Sequence, residues 1–278
     1  ASQKLWLLCC LERMRTIIHL SDLHFGRDEK KPTADLLAII SKLKPDIIVV
    51  SGDLTQRATT AQFRSAGEFL SHFNKPLLIL PGNHDISLYA LWNRFIAPYR
   101  KYKRFIDKAL DPRYSDEEVA ILGLNSVRAS RFKDGRVNSK QLAQAKEWLA
   151  SVPKKAVKII FSHHPFNLPS TASARPLARA KKALRALEEN EVDIFLSGHL
   201  HRTSVGHGES AYKIAAGHIF IQAGTAISKR RRGEANAFNV LSLNFPHLKI
   251  EVFAHDGNNF FCTQVKNFFH TGKGWKLE

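Results

Sequence analysis

The chain has 278 residues, 44% hydrophobic and 24% charged, which excludes a wholly disordered polymer and suits one compact domain or a core with a small appendage. Its 42 Lys and Arg against 25 Asp and Glu give a formal charge of +17, which favours polyanions such as nucleotides, nucleic acids or anionic membrane surfaces; a proteome-wide bias would give the same sum. Three cysteines, Cys9, Cys10 and Cys262, make no disulfide framework and suit a reducing cytosol.

No apolar run reaches the roughly 18 residues a membrane helix needs. The run Leu5–Leu11 is too short to span, and it leads into Glu12-Arg13 with no small-residue cleavage site, unlike a signal peptide. Met14 is the only methionine and a β pattern starts directly after it. Residues 1–13 therefore read as a non-native or flexible extension and 14–278 as a single domain. A short interfacial anchor flanked by Lys4, Arg13 and Arg15 is the competing reading.

From residue 15 short β-branched runs alternate with helical patterns. Strands are expected at Thr16–Leu20, Asp46–Val50 and Pro76–Leu80, with helices at Thr33–Leu43 and Thr60–Phe73. The run Asp46-Ile47-Ile48-Val49-Val50 has no polar alternation, as in a strand buried on both faces of a parallel sheet. The stretch Ile86–Leu110 is helical, aromatic and basic, and predicts a cap over one sheet end within 86–115. Strands follow at Val119–Leu124, Val157–Phe161 and Val192–Leu196, and helices at Ser139–Ala150 and Arg175–Glu189. After Gly198 the helical patterns stop. His218–Gln222, Phe238–Leu243 and Leu248–His255 read as antiparallel strands, with turn residues at 257–259. The pattern is thus α/β first and β-rich afterwards.

Five clusters stand at the ends of expected strands: Asp22-Leu23-His24, Gly52-Asp53, Gly82-Asn83-His84-Asp85, His163-His164-Pro165 and Gly198-His199-Leu200-His201. Strand carboxyl ends in open α/β sheets meet at one rim, so side chains from residue 22 to residue 201 are expected to converge there. Imidazoles and carboxylates without thiolates suit Mn, Fe, Zn, Co or Ni. Asp-x-His and His-x-His present alternate side chains on one side of an extended strand. Asp53 has two oxygens with which to bridge two ions, and the seven candidate donors exceed one tetrahedral site, so two divalent ions are expected. The isolated His19, His218 and His255 are expected to be structural.

This ordered set resembles the calcineurin-like metallophosphoesterases, from about residue 15 to 255. The resemblance implies two β-sheets packed face to face with helices outside, a four-layer α-β-β-α sandwich. It implies one metal site of Asp22, His24, Asp53 and His201, and a second of Asp53, Asn83, His163 and His199, with Mn preferred. It implies that His84 is catalytic with Asp85 as its orienting partner, and that a metal-bridging hydroxide attacks a phosphoester. Asp53 follows a buried strand and is the expected bridge; His163 is preferred to His164 as ligand because it comes first after its strand. Arg27, Arg57 and His164 are candidates for substrate contact.

Within the superfamily, the tight cluster spacing and the run Gly135–Leu142 before Trp148 most resemble the class III cyclic nucleotide phosphodiesterases. A nucleotide-type phosphodiester is therefore the expected substrate. The alternatives are a UDP-diacylglucosamine hydrolase of lipid A synthesis, a DNA exonuclease contacting phosphates through Lys229–Arg232, and a non-catalytic scaffold. The basic helix from Arg175 to Arg185 predicts peripheral contact with the inner face of a membrane or with nucleic acid, unless it is only a solvated face. A cytoplasmic protein with no protein partner is the expectation.

Overall fold

The structure is a computed structural model, and it describes residues 14–88, 91–131, 134–168, 176–207 and 217–278. The expected extension at 1–13 lies outside the described residues, as does Arg175. In chain order the elements are β1 (Arg15–Leu20), α1 (Lys30–Leu43), β2 (Ile47–Val50), α2 (Thr60–Leu70), β3 (Leu77–Ile79), a 3-10 turn (Asn83–Asp85), α3 (Leu91–Ile96) and α4 (Arg100–Phe105). Then come β4 (Arg113–Ser115), β5 (Val119–Gly123), α5 (Ser139–Ser151), β6 (Val157–Phe161), α6 (Ala180–Glu188), β7 (Ile194–Ser197), β8 (Ser204–His207) and β9 (Ile219–Gln222). The chain closes with β10 (Ala237–Asn244), β11 (His247–His255), β12 (Phe260–His270) and β13 (Trp275–Leu277).

Two mixed sheets result, ordered β13-β12-β11-β10-β1-β2-β3 and β4-β5-β6-β7-β9-β8. Between them lies an apolar layer that includes Ile17, Val49, Ile121, Ile159, Leu196, Ile221 and Leu241. Helices α1 and α2 cover the outer face of the first sheet through Leu36, Ile40, Phe63 and Ala66. Helices α5 and α6 cover the second through Leu142, Leu149, Leu184 and Leu187. This is the expected four-layer sandwich. It explains why Ile47–Val50 carries no polar residue: the strand is buried at every position, between the interlayer core and the helices.

Two sequence expectations change. His218–Gln222 is not purely antiparallel: β9 runs parallel to β7 and antiparallel to β8. The chain leaves β7, forms β8 at the sheet edge and returns between them, so the route sets the polarity. The described part of Ile86–Leu110 is two short helices separated at Pro98, whose ring and missing N–H oppose a continuous helix. Helix α4 packs on the first sheet through buried Tyr102, whose hydroxyl donates to the Ile79 carbonyl at 2.9 Å, while Trp92, Phe95 and Ile96 face solvent. Among the described residues no helix is long and apolar enough to cross a membrane.

Candidate metal centre and active site

The ends of β1, β2, β3, β6 and β7 meet at one rim, as expected. The chain after β1 runs beside that after β2, with Asp22 N donating to Gly52 O at 3.0 Å and His24 N to Asp53 O at 2.9 Å. The extended geometry expected of Asp-x-His and His-x-His is replaced by left-handed turns. Asp22, His24, Asp53, His199 and His201 all have positive φ, between 49° and 74°. Each such residue costs on the order of 1 kcal/mol, so the surrounding packing holds the side chains inward against local preference. Close approach requires glycine at two neighbours. A Cβ on Gly82 would lie 2.0 Å from Asp53 Oδ1, and one on Gly198 would lie 1.8 Å from Ser21 Oγ.

Four donors converge in the first group. His201 Nε2 lies 3.2 Å from Asp22 Oδ1 and 3.2 Å from His24 Nε2, and His24 Nε2 lies 3.6 Å from Asp53 Oδ2. All four residues are buried. Asp22 Oδ2 is held by Ser21 Oγ at 2.7 Å and by the His199 N–H at 2.9 Å, which leaves Oδ1 facing the group. His201 Nδ1 donates to the Arg230 carbonyl at 2.5 Å, which turns its Nε2 toward the group.

The other oxygen of Asp53 opens the second group. His163 Nε2 lies 3.5 Å from Asp53 Oδ1 and 3.0 Å from Asn83 Oδ1, and His199 Nδ1 lies 3.1 Å from Asn83 Oδ1. His163 Nδ1 donates to Ser51 O at 2.9 Å, so its Nε2 carries the lone pair. His164 also adjoins this group, its ring centroid 4.5 Å from that of His199, and its Nδ1 is bonded to Ser126 Oγ at 2.8 Å.

Electrostatics sharpen the picture. Burial disfavours charge on Asp22, but His201 and His24 outweigh it and hold its carboxyl well below the usual range. Burial likewise opposes Asp53, and the neighbouring His163, His24 and His84 still hold it low. Burial also opposes the His201 imidazolium, yet Asp22 raises its pKa overall. Burial, reinforced by His163, pushes His199 down to about 3, leaving a neutral imidazole of the kind a metal accepts.

Both groups fit divalent cations. Asp22 Oδ1, which faces the first group, is buried with no hydrogen-bond donor. In the second group the His163 lone pair faces an amide oxygen and a carboxylate oxygen with no hydrogen between them. Such acceptor-rich contacts are unfavourable alone and are resolved by a cation. The structure brings Asp22, His24, Asp53, Asn83, His163, His199 and His201 together at this one rim.

His84 flanks the first group, its ring 5.0 Å from that of His24. Its N–H donates to Asp53 Oδ1 at 2.8 Å. The orienting role expected of Asp85 is not seen. The Asp85 carboxylate accepts from Leu54 N, Thr55 N, Thr55 Oγ1 and Gly82 N, and so clamps two loops together. Burial and nearby Asp53 push it up to about 6. The His84 ring is oriented instead by Gln56, whose carbonyl lies 3.0 Å from Nδ1. A carbonyl only accepts, so Nδ1 carries the hydrogen, and Nε2 receives the Arg230 guanidinium at 2.9 Å. Burial pulls His84 below the ordinary imidazole range, against the opposing pull of Asp53.

Arg27 and Arg57 line a cavity of about 310 Å³ with Gln56, His84, Lys229 and Arg230. His164 lies apart from this cavity, beside the second group. The sequence marked Arg230 only as one base in a run; its charge spacing held no sign that it faces inward. His19 and His255 are structural in geometry. His19 is buried between Ser51 Oγ and Asn239 Nδ2, and His255 is bonded to Asp35.

Such a rim on such a sandwich is that of a phosphoesterase fold. Residues 15–203 match the model of the calcineurin-like phosphoesterases, and the chain belongs to that family. It is 28% identical over 177 residues to the 3',5'-cyclic adenosine monophosphate phosphodiesterase CpdA of Escherichia coli, a match covering 59% of each protein. It is 28% identical over 167 residues to the glycerophosphodiester phosphodiesterase GpdQ of Enterobacter lignolyticus, covering 54% of this chain and 56% of that one. It is also 26% identical over 208 residues to a cAMP/cGMP dual specificity phosphodiesterase of Mycobacterium tuberculosis, covering 66% and 61%. The matches therefore span less than two thirds of those relatives. Among solved structures, the purple acid phosphatase PPD1 of yellow lupin superposes with a TM-score of 0.70 at 13% identity, covering 91% of this chain and 53% of that one. A dimetal phosphatase of Danio rerio gives 0.61 at 13%, covering 89% and 98%. At such identities these structures show the fold alone.

Proposed function

We propose that this protein is a metal-dependent phosphodiesterase with two divalent ions, Mn foremost, acting on a nucleotide-type phosphodiester. The observation that carries the reading is Asp53, whose two oxygens face two separate donor groups at the rim. The diester-cleaving relatives named above support the substrate class.

When bound, the ions supply charge against the anionic phosphoryl group and lower the pKa of water. The chain supplies the rest. Asp22, His24 and His201 form one binding face and Asn83, His163 and His199 the other, with Asp53 between them. The Ser51 and Arg230 carbonyls fix the rings of His163 and His201. His84 stands on one flank with Nε2 as its substrate-facing atom. With Nδ1 held by Gln56, that atom must first take up a proton, forming an imidazolium that can pass it to the leaving oxygen as the P–O bond breaks. The buried histidine rings and Leu23 keep bulk water from the floor of the site.

The test is a hydrolysis screen of the protein with Mn on bis-p-nitrophenyl phosphate, cyclic nucleotides and phosphomonoesters. Turnover of diesters that a chelator abolishes is expected. His84→Ala should lower the rate by about 10²–10⁴ while metal content stays the same. Full metal loading with no hydrolysis of any ester would make the chain a binding scaffold, and loss of an ion from the His84 variant would make that residue a ligand.

A further inference from the structure

We propose that α3 and α4 form a membrane-docking surface, through which Trp92, Phe95 and Ile96 enter an anionic lipid bilayer while Arg100, Lys103 and Arg104 hold its headgroups. This goes beyond the phosphodiesterase reading and does not depend on it.

Helix α3 is turned inside out. Its basic residue Arg94 is buried, and its large apolar residues Trp92, Phe95 and Ile96 are 77%, 57% and 66% exposed. Positions 92, 95 and 96 are spaced i, i+3 and i+4, so the three share one helix face. Arg94 lies on the opposite face and locks the rotation of the helix. Its Nε donates to Ala129 O at 2.7 Å, Nη1 to Ser87 O at 3.2 Å and Nη2 to Arg131 O at 3.1 Å. The apolar face cannot roll inward without breaking these hydrogen bonds to a buried charge. Exposed apolar side chains gathered on one face, unlike those scattered singly, mark a contact surface.

Helix α4 repeats the pattern with charge. Tyr102 is buried, and Arg100, Lys103 and Arg104, again at i, i+3 and i+4, are exposed on the far side. The basic face begins four residues after Ile96, so at most about 14 Å of chain separates the two faces. From Ile86 to Leu110 the sequence holds one acid, Asp107, against six bases. A bilayer interface answers both faces: aromatic and aliphatic side chains enter it, and its anionic headgroups attract the bases. A second copy of the chain would cover the apolar face but bring two basic faces together. A nucleic acid would answer the bases and offer Ile96 no apolar medium. The surface is separate from α6, which packs on the second sheet, and it adjoins the metal rim. Helix α3 follows the turn that carries Asn83 and His84, and Tyr99 Oη donates to Val127 O at 2.7 Å, in the loop whose Ser126 touches His164. Docking there sets the rim close to the bilayer.

The test is co-sedimentation of the full chain with vesicles of equal parts phosphatidylglycerol and phosphatidylcholine, and with vesicles of phosphatidylcholine alone. Binding to the anionic vesicles that weakens as salt is added is expected, with little binding to the neutral ones. Trp92→Ser with Phe95→Ser and Ile96→Ser should weaken it by about tenfold or more, the worth of burying one large apolar side chain. Arg100→Gln with Lys103→Gln and Arg104→Gln should weaken it by about fivefold for each base removed and flatten its salt dependence. Trp92 emission should shift to the blue on binding, and Trp92→Phe should keep the binding and lose that shift. Thermal unfolding and turnover of bis-p-nitrophenyl phosphate should be the same in all these variants, since none of the altered side chains belongs to the donor groups. Vesicle binding with no ester hydrolysed would leave the docking surface standing and remove the phosphodiesterase reading. The surface is overturned if the unmodified protein does not bind anionic vesicles, or if the triple serine variant binds them equally well. A concentration-dependent dimer that the serine variant abolishes would give the face to a second copy instead, and single-stranded DNA bound with the same loss in both triple variants would give it to nucleic acid.

Discussion

Asp22, His24, Asp53 and His201 bring two carboxylates to one donor group, whereas Asn83, His163 and His199, across Asp53, bring none of their own. A divalent ion held by the first group would meet two negative charges. In the second it would meet one shared carboxylate oxygen, an amide and imidazoles. The second group nevertheless starts with an advantage, because His199 is neutral without any metal, while His201 is held toward its charged form by Asp22. Charge favours one site and readiness favours the other. Equal numbers of donors therefore do not make equal sites.

Removing the carboxylate the two groups share has the largest expected effect. Asp53→Asn should abolish turnover, by about 10³ or more on the scale of lost metal catalysis, and release both ions while the fold persists by circular dichroism. Two ions retained at near-normal turnover would break the bridging assignment. Next comes the order of release. Limiting chelator should remove the ion of the Asn83–His163–His199 side first, and Asp22→Asn should reverse that order; simultaneous loss from the unmodified protein would erase the distinction. The smallest effect is in pH. Since Asp22 raises the His201 pKa above its ordinary value against the pull of burial, the metal-free ring keeps its proton to higher pH than a free imidazole, and an ion must displace that proton. Affinity of the first group should thus fall as pH drops through the His201 pKa. His199, with a pKa pushed down to about 3, stays neutral over the same range. Calorimetry at pH 6.5 in buffers of different ionisation enthalpy should show greater proton release from the first group, and equal release would contradict the comparison.

Much of this site was legible because its donors are fixed by short sequence: each cluster ends a buried strand, and parallel strands end at one rim. The seven donor residues needed no knowledge of long-range geometry beyond that rule. What escaped depends on routes and on shape. The polarity of β9 follows from the excursion through β8, which leaves no trace in Ile219–Gln222 itself. Strand β12 alternates exposed and buried residues too irregularly to signal, and it carries a register shift opposite Val252–Phe253. The left-handed backbone at Asp22 and His201 runs against side-chain preference, so no propensity reveals it. Asp85 follows His84 directly and reads as its partner, yet the 3-10 turn directs its carboxylate to Leu54, Thr55 and Gly82. The inward turn of Arg230 is likewise set by a carbonyl that His201 needs.

The donors divide between the two layers of the sandwich. Asp22, His24, Asp53 and Asn83 hang from the seven-stranded sheet, and His163, His199 and His201 from the six-stranded one. Contacts such as Gly198 against Ser21, or His199 N–H on Asp22, are stitches across the seam between layers. Below the rim that seam is mostly apolar, crossed by a few polar ties such as Asn239 Nδ2 to Gln222 O and Trp275 Nε1 to Asp193 Oδ1. At the rim it is pinned by directional bonds. A slide of one sheet over the other by the width of a single atom would spoil both donor groups together while leaving each sheet whole. The site is therefore a gauge of alignment between layers, and core substitutions far from any donor, such as at Ile159 or Leu241, can be read out there as changed metal affinity before any loss of folding is seen.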